Sequence, residues 1–158
     1  MTNQQVKSKQ RVADHGEVFT AEREVKAMCD LVKQETERIE SRFLEPACGN
    51  GNFLAEVLSR KLAVVKQKYG KNNFDYERYS VLAVTSLYGV DILEDNAEEC
   101  RQRLFDIWNK EYTTNVKTQA NEQCREAVWF ILHKNILCGD ALTMLQKDGT
   151  PIIFAEWS

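Results

Sequence analysis

Three points along the 158-residue chain carry residue types that bind and act on small molecules. They are Gly49 and Gly51 in "EPACGNGNF", Asp91 in "YGVDI" and Asp140 in "NILCGD". Glycine admits positive φ and lets backbone approach a ligand closely. A helix opening after such a loop turns its unpaired N–H groups toward whatever lies above it. A carboxylate at Asp91 can accept hydrogen bonds from both hydroxyls of a ribose, roughly 1.5–3 kcal/mol each. One at Asp140 can accept from the exocyclic amine of a purine. Each piece has a plainer reading beside this one. The glycines suit any tight strand-to-helix turn. Asp91 suits an N-cap, a role open also to Asp95, and Asp140 suits a turn or an N-cap. A dinucleotide loop would read GxGxxG, and Leu54 stands where its third glycine belongs. The acid of that fingerprint falls about 20 residues on. Here it comes 42 residues after Gly49 (91 − 49), a gap that an additional helix at 77–86 would fill.

The elements that must hold these residues follow from apolar spacing. Val25, Met28, Cys29, Val32 and Ile39 recur at helical intervals between Ala21 and Ile39, with Thr20 as the expected N-cap and Arg23 where a capping box wants Glu. Residues 43–46 are a short apolar strand. Phe53, Leu54, Val57, Leu58, Leu62 and Val65 form the next helical face, stopped by Gly70. Residues 71–76 are expected to be a polar loop, 77–86 a helix (a strand being the alternative) and 87–92 a strand. Ala97, Cys100, Leu104, Ile107 and Trp108 mark a helix, 113–119 a polar linker, 121–134 a helix and 135–140 a strand. "DGT" reads as a turn and "PIIFAEWS" as a last strand. Strands alternating with helices predict an α/β fold with a mostly parallel sheet. In such sheets ligands bind beyond the carboxyl ends of the strands, which is where the glycine loop, Asp91 and Asp140 fall.

Composition narrows the function class. Apolar residues make up 43% and charged residues 28%, a globular balance that supports one domain. No run of about 18 apolar residues predicts a membrane span, and the polar first 14 residues read as an arm. Five cysteines, an odd number without a CxxC pair, point to buried free thiols in a reducing cytoplasm rather than to zinc or disulfides. His15 and His133 have no metal partner in view, and Trp108, Tyr112 and Trp129 fit core faces. A net charge of −3 argues against strong nucleic-acid binding by this chain alone.

Four segments in order resemble the cofactor-binding half of the DNA adenine-N6 methyltransferases of restriction-modification systems. "HGEVFTAEREV" resembles the family's N-terminal Gly-x-Phe/Tyr-Thr-Pro motif, with one extra residue after Gly16 and Ala21 in place of proline. "FLEPACGNGNFL" resembles its Asp/Glu-Pro-Ala-Cys-Gly-x-Gly-x-Phe loop. "YGVDI" and "NILCGDAL" resemble the segments carrying the family's two binding acids. The resemblance implies a Rossmann-like methyltransferase fold that binds S-adenosylmethionine. Phe19 and Thr20 would line its methionine end, and Glu45, Pro46, Ala47, Cys48, Gly49, Gly51 and Phe53 would form the loop around it. Asp91 would take the ribose, Ile92 would pack on the adenine, and Asp140 with Ala141 would meet the adenine amine. The family's catalytic Asn/Asp/Ser-Pro-Pro-aromatic motif has no counterpart, because Pro46 and Pro151 are the two prolines and they are not adjacent. The sheet is therefore expected to be incomplete, and this chain alone to bind DNA weakly and to leave methyl transfer to the complete enzyme. An unfinished sheet is expected to self-associate or to take a partner chain. Two other functions fit the same residues: a non-catalytic module that binds the cofactor or a partner, and a divergent RNA or small-molecule methyltransferase.

Overall fold

The computed structural model describes residues 21–157. Phe19, Thr20, His15 and the polar arm lie outside them. The elements run α1 (Glu22–Leu31), the short α2 (Lys33–Thr36), β1 (Phe43–Glu45), α3 (Asn52–Tyr69), α4 (Asn73–Thr85), β2 (Leu87–Asp91), α5 (Glu94–Val116), a 3-10 turn (Lys117–Gln119), α6 (Glu122–Asn135), β3 (Ile136–Asp140) and β4 (Leu145–Gln146). The sheet order is β1-β2-β3-β4. β1 pairs in parallel with β2, and β2 with β3. β4 turns back antiparallel on β3. This is the mixed α/β fold, largely parallel, that the alternation of strands and helices predicts.

Four boundaries differ from expectation, each for a local reason. The first helix breaks at Val32 (φ −120°, ψ 36°). Beyond it the Thr36 hydroxyl bonds the Lys33 carbonyl and Ser41 bonds Glu35, side-chain bonds that compete with the helical ladder. Residues 73–76 are helical rather than loop, because Asn72 caps α4 by accepting from the Asp75 N–H at 3.1 Å and Tyr76 is buried. Residues 113–116 continue α5, since buried Tyr112 and Val116 extend its apolar face beyond the polar "TTN". The expected strand at 151–158 is an irregular segment through Trp157, apart from one bridge between Pro151 and Leu145. Its Phe154 meets the edge of Tyr88, and the Ala155 carbonyl accepts from the Tyr88 hydroxyl at 2.8 Å. These bonds run to a side chain rather than to a neighbouring strand.

The two sheet faces are covered unequally. Both crossovers pass in the same direction along the sheet, and right-handed crossovers then place their helices on one face. Phe43, Leu87, Ile136 and Cys138 face this side and join the helical core with Leu54, Leu58, Leu104, Trp108 and Leu132. The opposite face carries Leu44, Tyr88 and Val90, register partners or alternates of those strands. Among the described residues it is covered by the 145–157 segment, through Ile152 and Phe154, and Leu44 remains 55% exposed. All five cysteines are buried free thiols. Trp108 and Tyr112 are core residues, whereas Trp129 is 37% exposed, stacked edge-on against Phe105 and His133.

Lys61 anchors the helical side. Its fully buried ammonium donates to the Ile39 carbonyl at 3.0 Å, to Ser86 Oγ at 2.7 Å and to the Ser41 carbonyl. It thereby ties α3 to the segment entering β1 and to the end of α4.

Candidate functional site

The glycine loop follows β1 directly. Gly49 (φ 55°) and Gly51 (φ 88°) both lie in the left-handed region, where a side chain is strained. A Cβ on Gly51 would also stand 2.8 Å from Cys100 Sγ of α5. Glycine is thus favoured by conformation at both positions, and at Gly51 by packing as well. Gly51 is the N-cap of α3, which has no side-chain cap and no acidic residue in its first turn. Helix α3 therefore opens without an acidic residue of its own first turn at its N-terminal dipole, a setting that suits a polar ligand.

Asp91 closes β2 beside this loop, 8% exposed. Its Oδ2 accepts from the Gly49 N–H at 2.9 Å, while Oδ1 accepts from the Leu93 N–H at 2.9 Å and from Asn96 Nδ2 at 3.2 Å. The N-cap position of α5 is Leu93, with Asp95 in the first turn. Asp91 therefore fixes the turn into α5 through Leu93 and also binds the glycine loop 42 residues away. A carboxylate offers about four lone-pair positions, so the protein's own donors engage most of them. Asp140 is different. It ends β3, partly exposed, and its Oδ1 accepts from the Leu142 N–H at 2.8 Å.

The remaining expected residues fall around the same edge. Pro46 and Ala47 are exposed, and Glu45 is half-buried. Burial pushes the Glu45 carboxyl above the usual carboxylate range, opposed by a bond from the Ala47 N–H at 3.4 Å. Cys48 is buried, with its N–H on the Val90 carbonyl at 2.9 Å. Its thiol is pushed up by a hydrogen bond with Cys100 first and by burial second, so it stays protonated. Phe53 leans on Phe43 at 6.0 Å between ring centres. Ile92 is 52% exposed beyond β2, and Cys138 donates to its carbonyl at 3.6 Å, which holds the ends of β2 and β3 together. Ala141 is half-buried next to Asp140. The structure thus gathers Glu45 to Phe53, Asp91, Ile92, Asp140 and Ala141 along one edge of the sheet. Phe19 and Thr20 lie outside the described residues.

Three neighbours were not singled out by sequence reasoning. Asn96 supports Asp91 from the first turns of α5. Arg103 reaches from α5 to Asn52 at the start of α3. Asn50, between the two glycines, is half-buried with an amide oxygen that is buried and has no hydrogen-bond partner. Only Asn50 carried a signal, its place in the loop. The other two sit on a long helix whose register with the loop is a tertiary property.

No group of three or more His, Cys, Asp or Glu among the described residues could hold a metal ion. Nor is any described helix long and apolar enough to cross a membrane. No match is found among curated proteins or among solved structures. A family model described as "MmeI, DNA-methyltransferase domain" matches residues 15–152, a span that includes the glycine loop, Asp91 and Asp140. With most of its length matched in this way, the chain belongs to the MmeI DNA-methyltransferase domain family.

Proposed function

We propose that these residues form the S-adenosylmethionine-binding part of a DNA adenine-N6 methyltransferase. One observation supports this most: a two-glycine loop in left-handed conformation, hydrogen-bonded to an acid at the end of the next parallel strand, with a second acid ending the strand after it. That line of groups matches a ligand with three unlike parts. The loop and the start of α3 take the amino-acid end. Asp91 takes a ribose hydroxyl with its remaining acceptor capacity. Ile92 packs against the adenine, and Asp140 accepts from the amine, its carboxylate having a single described bond. The cofactor has no phosphate, in keeping with a loop that lacks the third glycine. When bound, it supplies an electrophilic methyl group on a sulfonium. The chain's own residues orient it, and the carboxyl groups of Glu45, Asp91 and Asp140 border the edge where its positive charge would lie.

Transfer to a base amine requires a loop that holds the flipped base. Pro46 and Pro151 lie apart in these 158 residues, so we assign that loop and the DNA contact to further parts of the complete enzyme. The open edge of β1 and the exposed Leu44 face are, on this reading, where a partner chain or further polypeptide completes the sheet.

Isothermal calorimetry tests the binding claim. Wild-type protein should bind S-adenosylmethionine, and Asp140→Ala should weaken it about tenfold or more, the size of a lost hydrogen bond to a charged group, with only a small fall in melting temperature, since the exposed Leu142 N–H can turn to water. Absence of heat with the wild type, in a sample shown to be folded, would refute the reading.

A further inference from the structure

Resting on that reading, we infer that Asn50 is a cofactor-contacting residue: its side-chain amide oxygen accepts from the ammonium of the methionine moiety and so selects ligands that carry the amino-acid end. The amide oxygen of Asn50 is buried and unbonded. Buried polar atoms are nearly always paired, so an orphan marks a place where a partner is missing. The surrounding loop does not supply one. The Gly49 N–H is committed to Asp91 and the Gly51 N–H to the Cys48 carbonyl, both at 2.9 Å. The backbone on either side of Asn50 is held by those same two bonds, from Gly49 to Asp91 and from Gly51 to Cys48. The side chain is half-buried, so it borders the surface of the loop.

Position along the sheet identifies the donor. Strand order places Asp140, Asp91 and the loop in succession, at the ends of β3, β2 and β1. If the acids take the adenine amine and the ribose, the loop meets the remaining segment of the ligand. That segment holds one cationic donor, the α-ammonium, and an amide oxygen is an acceptor for it. The fit also separates Asn50 from Asp91: Asp91 is engaged by protein donors, whereas Asn50 Oδ1 has no hydrogen-bond partner among the described residues.

Calorimetry with two ligands tests this. S-adenosylmethionine carries the amino-acid end, and 5′-methylthioadenosine retains the adenosine and sulfur without it. Asn50→Ala should weaken S-adenosylmethionine about tenfold, as expected for one charge-assisted bond, and leave 5′-methylthioadenosine within about twofold. Asn50→Asp, which keeps an acceptor and adds a charge opposite the ammonium, should restore or tighten S-adenosylmethionine binding. Thermal melting should show both variants folded. Equal weakening of both ligands, no change for either, or failure of Asn50→Asp to rescue would overturn the inference. Binding of neither ligand by the wild type would instead remove the underlying cofactor reading, and the inference with it.

Discussion

Replacing Lys61 with methionine tests the energetic reasoning where the charge is most buried. The ammonium is fully buried and has three acceptors, the Ile39 and Ser41 carbonyls and Ser86 Oγ. Burial lowers its pKa to about 7 from 10.5, against the attraction of Glu40 and Glu35. A neutral amine fits the same pocket. It donates to the two carbonyls and accepts from the Ser86 hydroxyl, which then releases its 2.7 Å bond to the Ala83 carbonyl. With the folded pKa below the unfolded one, both states hold the proton well below pH 7, and the cost of burying the charge is fully present. As pH rises through about 7 the folded state releases the proton and the unfolded state keeps it, so stability increases with pH. One proton is worth about 1.4 kcal/mol per pH unit. Between pH ~6.5 and ~8.5 the gain is therefore about 2 kcal/mol. Above that range buried thiols held up near 11, Cys124 and Cys138, act in the opposite direction. At pH 7 itself Lys61→Met exchanges a buried ammonium, costing several kcal/mol, for two unbonded carbonyls at about 1–3 kcal/mol each. Absolute stability there is a poor discriminator, but the slope is not. Urea unfolding at three pH values should show wild-type stability rising by about 2 kcal/mol and the variant nearly flat. A flat or falling wild-type profile, or equal slopes in the two proteins, would refute the argument.

Gly51→Ala should lower stability by about 2 kcal/mol or more, since it combines left-handed strain of about 1–2 kcal/mol with a 2.8 Å approach to Cys100 Sγ. Denaturant melts check this, and a neutral result would mean that α5 yields easily. Asp91→Ala should cost stability and cofactor affinity together, because Gly49, Leu93 and Asn96 all lose their acceptor; calorimetry combined with melting separates it from Asp140→Ala, which loses one exposed bond and should affect affinity far more than stability. Arg101→Met should destabilise by about 1 kcal/mol, because the Ile136 carbonyl loses a 2.9 Å bond, whereas the exposed Glu94 and Glu98 return to water. Sedimentation velocity should show concentration-dependent association through the β1 edge, reduced by Leu44→Lys; a monomer at every concentration would remove that proposal.

Much of this was legible from local pattern. The strand at 43–45, the acid ending β2 and the acid ending β3 followed from short apolar runs bounded by turn residues. Element ends were less legible where polarity and structure part company. "KNNFDY" looks like a loop, yet Asn72 caps a helix there, and "TTNV" looks like a linker, yet Tyr112 and Val116 keep it on the core. The C-terminal "PIIFAEW" has strand-like composition, but beyond Ile152, which bonds the Met144 carbonyl, its polar contacts run to Tyr88, Arg42 and Asn135. Composition cannot reveal those partners. The same limit hid Asn96 and Arg103, whose contacts depend on how a 23-residue helix lies against the loop.

The double commitment of Asp91 links fold to ligand. Hydrogen bonds from Gly49, Leu93 and Asn96 hold it in place before anything binds. They also join the turn after β1 to the turn after β2, so the loop's left-handed geometry and the start of α5 are set by one carboxylate. A ribose that takes the remaining acceptor capacity meets a group whose ordering cost was met on folding. It must share that group with Gly49. Any ligand that draws Asp91 away therefore loosens the glycine loop, whereas one that leaves the Gly49 bond intact keeps Asn50 in register. Recognition at the ribose and at the amino-acid end should consequently be coupled. Asp91→Asn in combination with Asn50→Ala should lose less affinity than the sum of the single changes, since neighbours sharing a network are not additive.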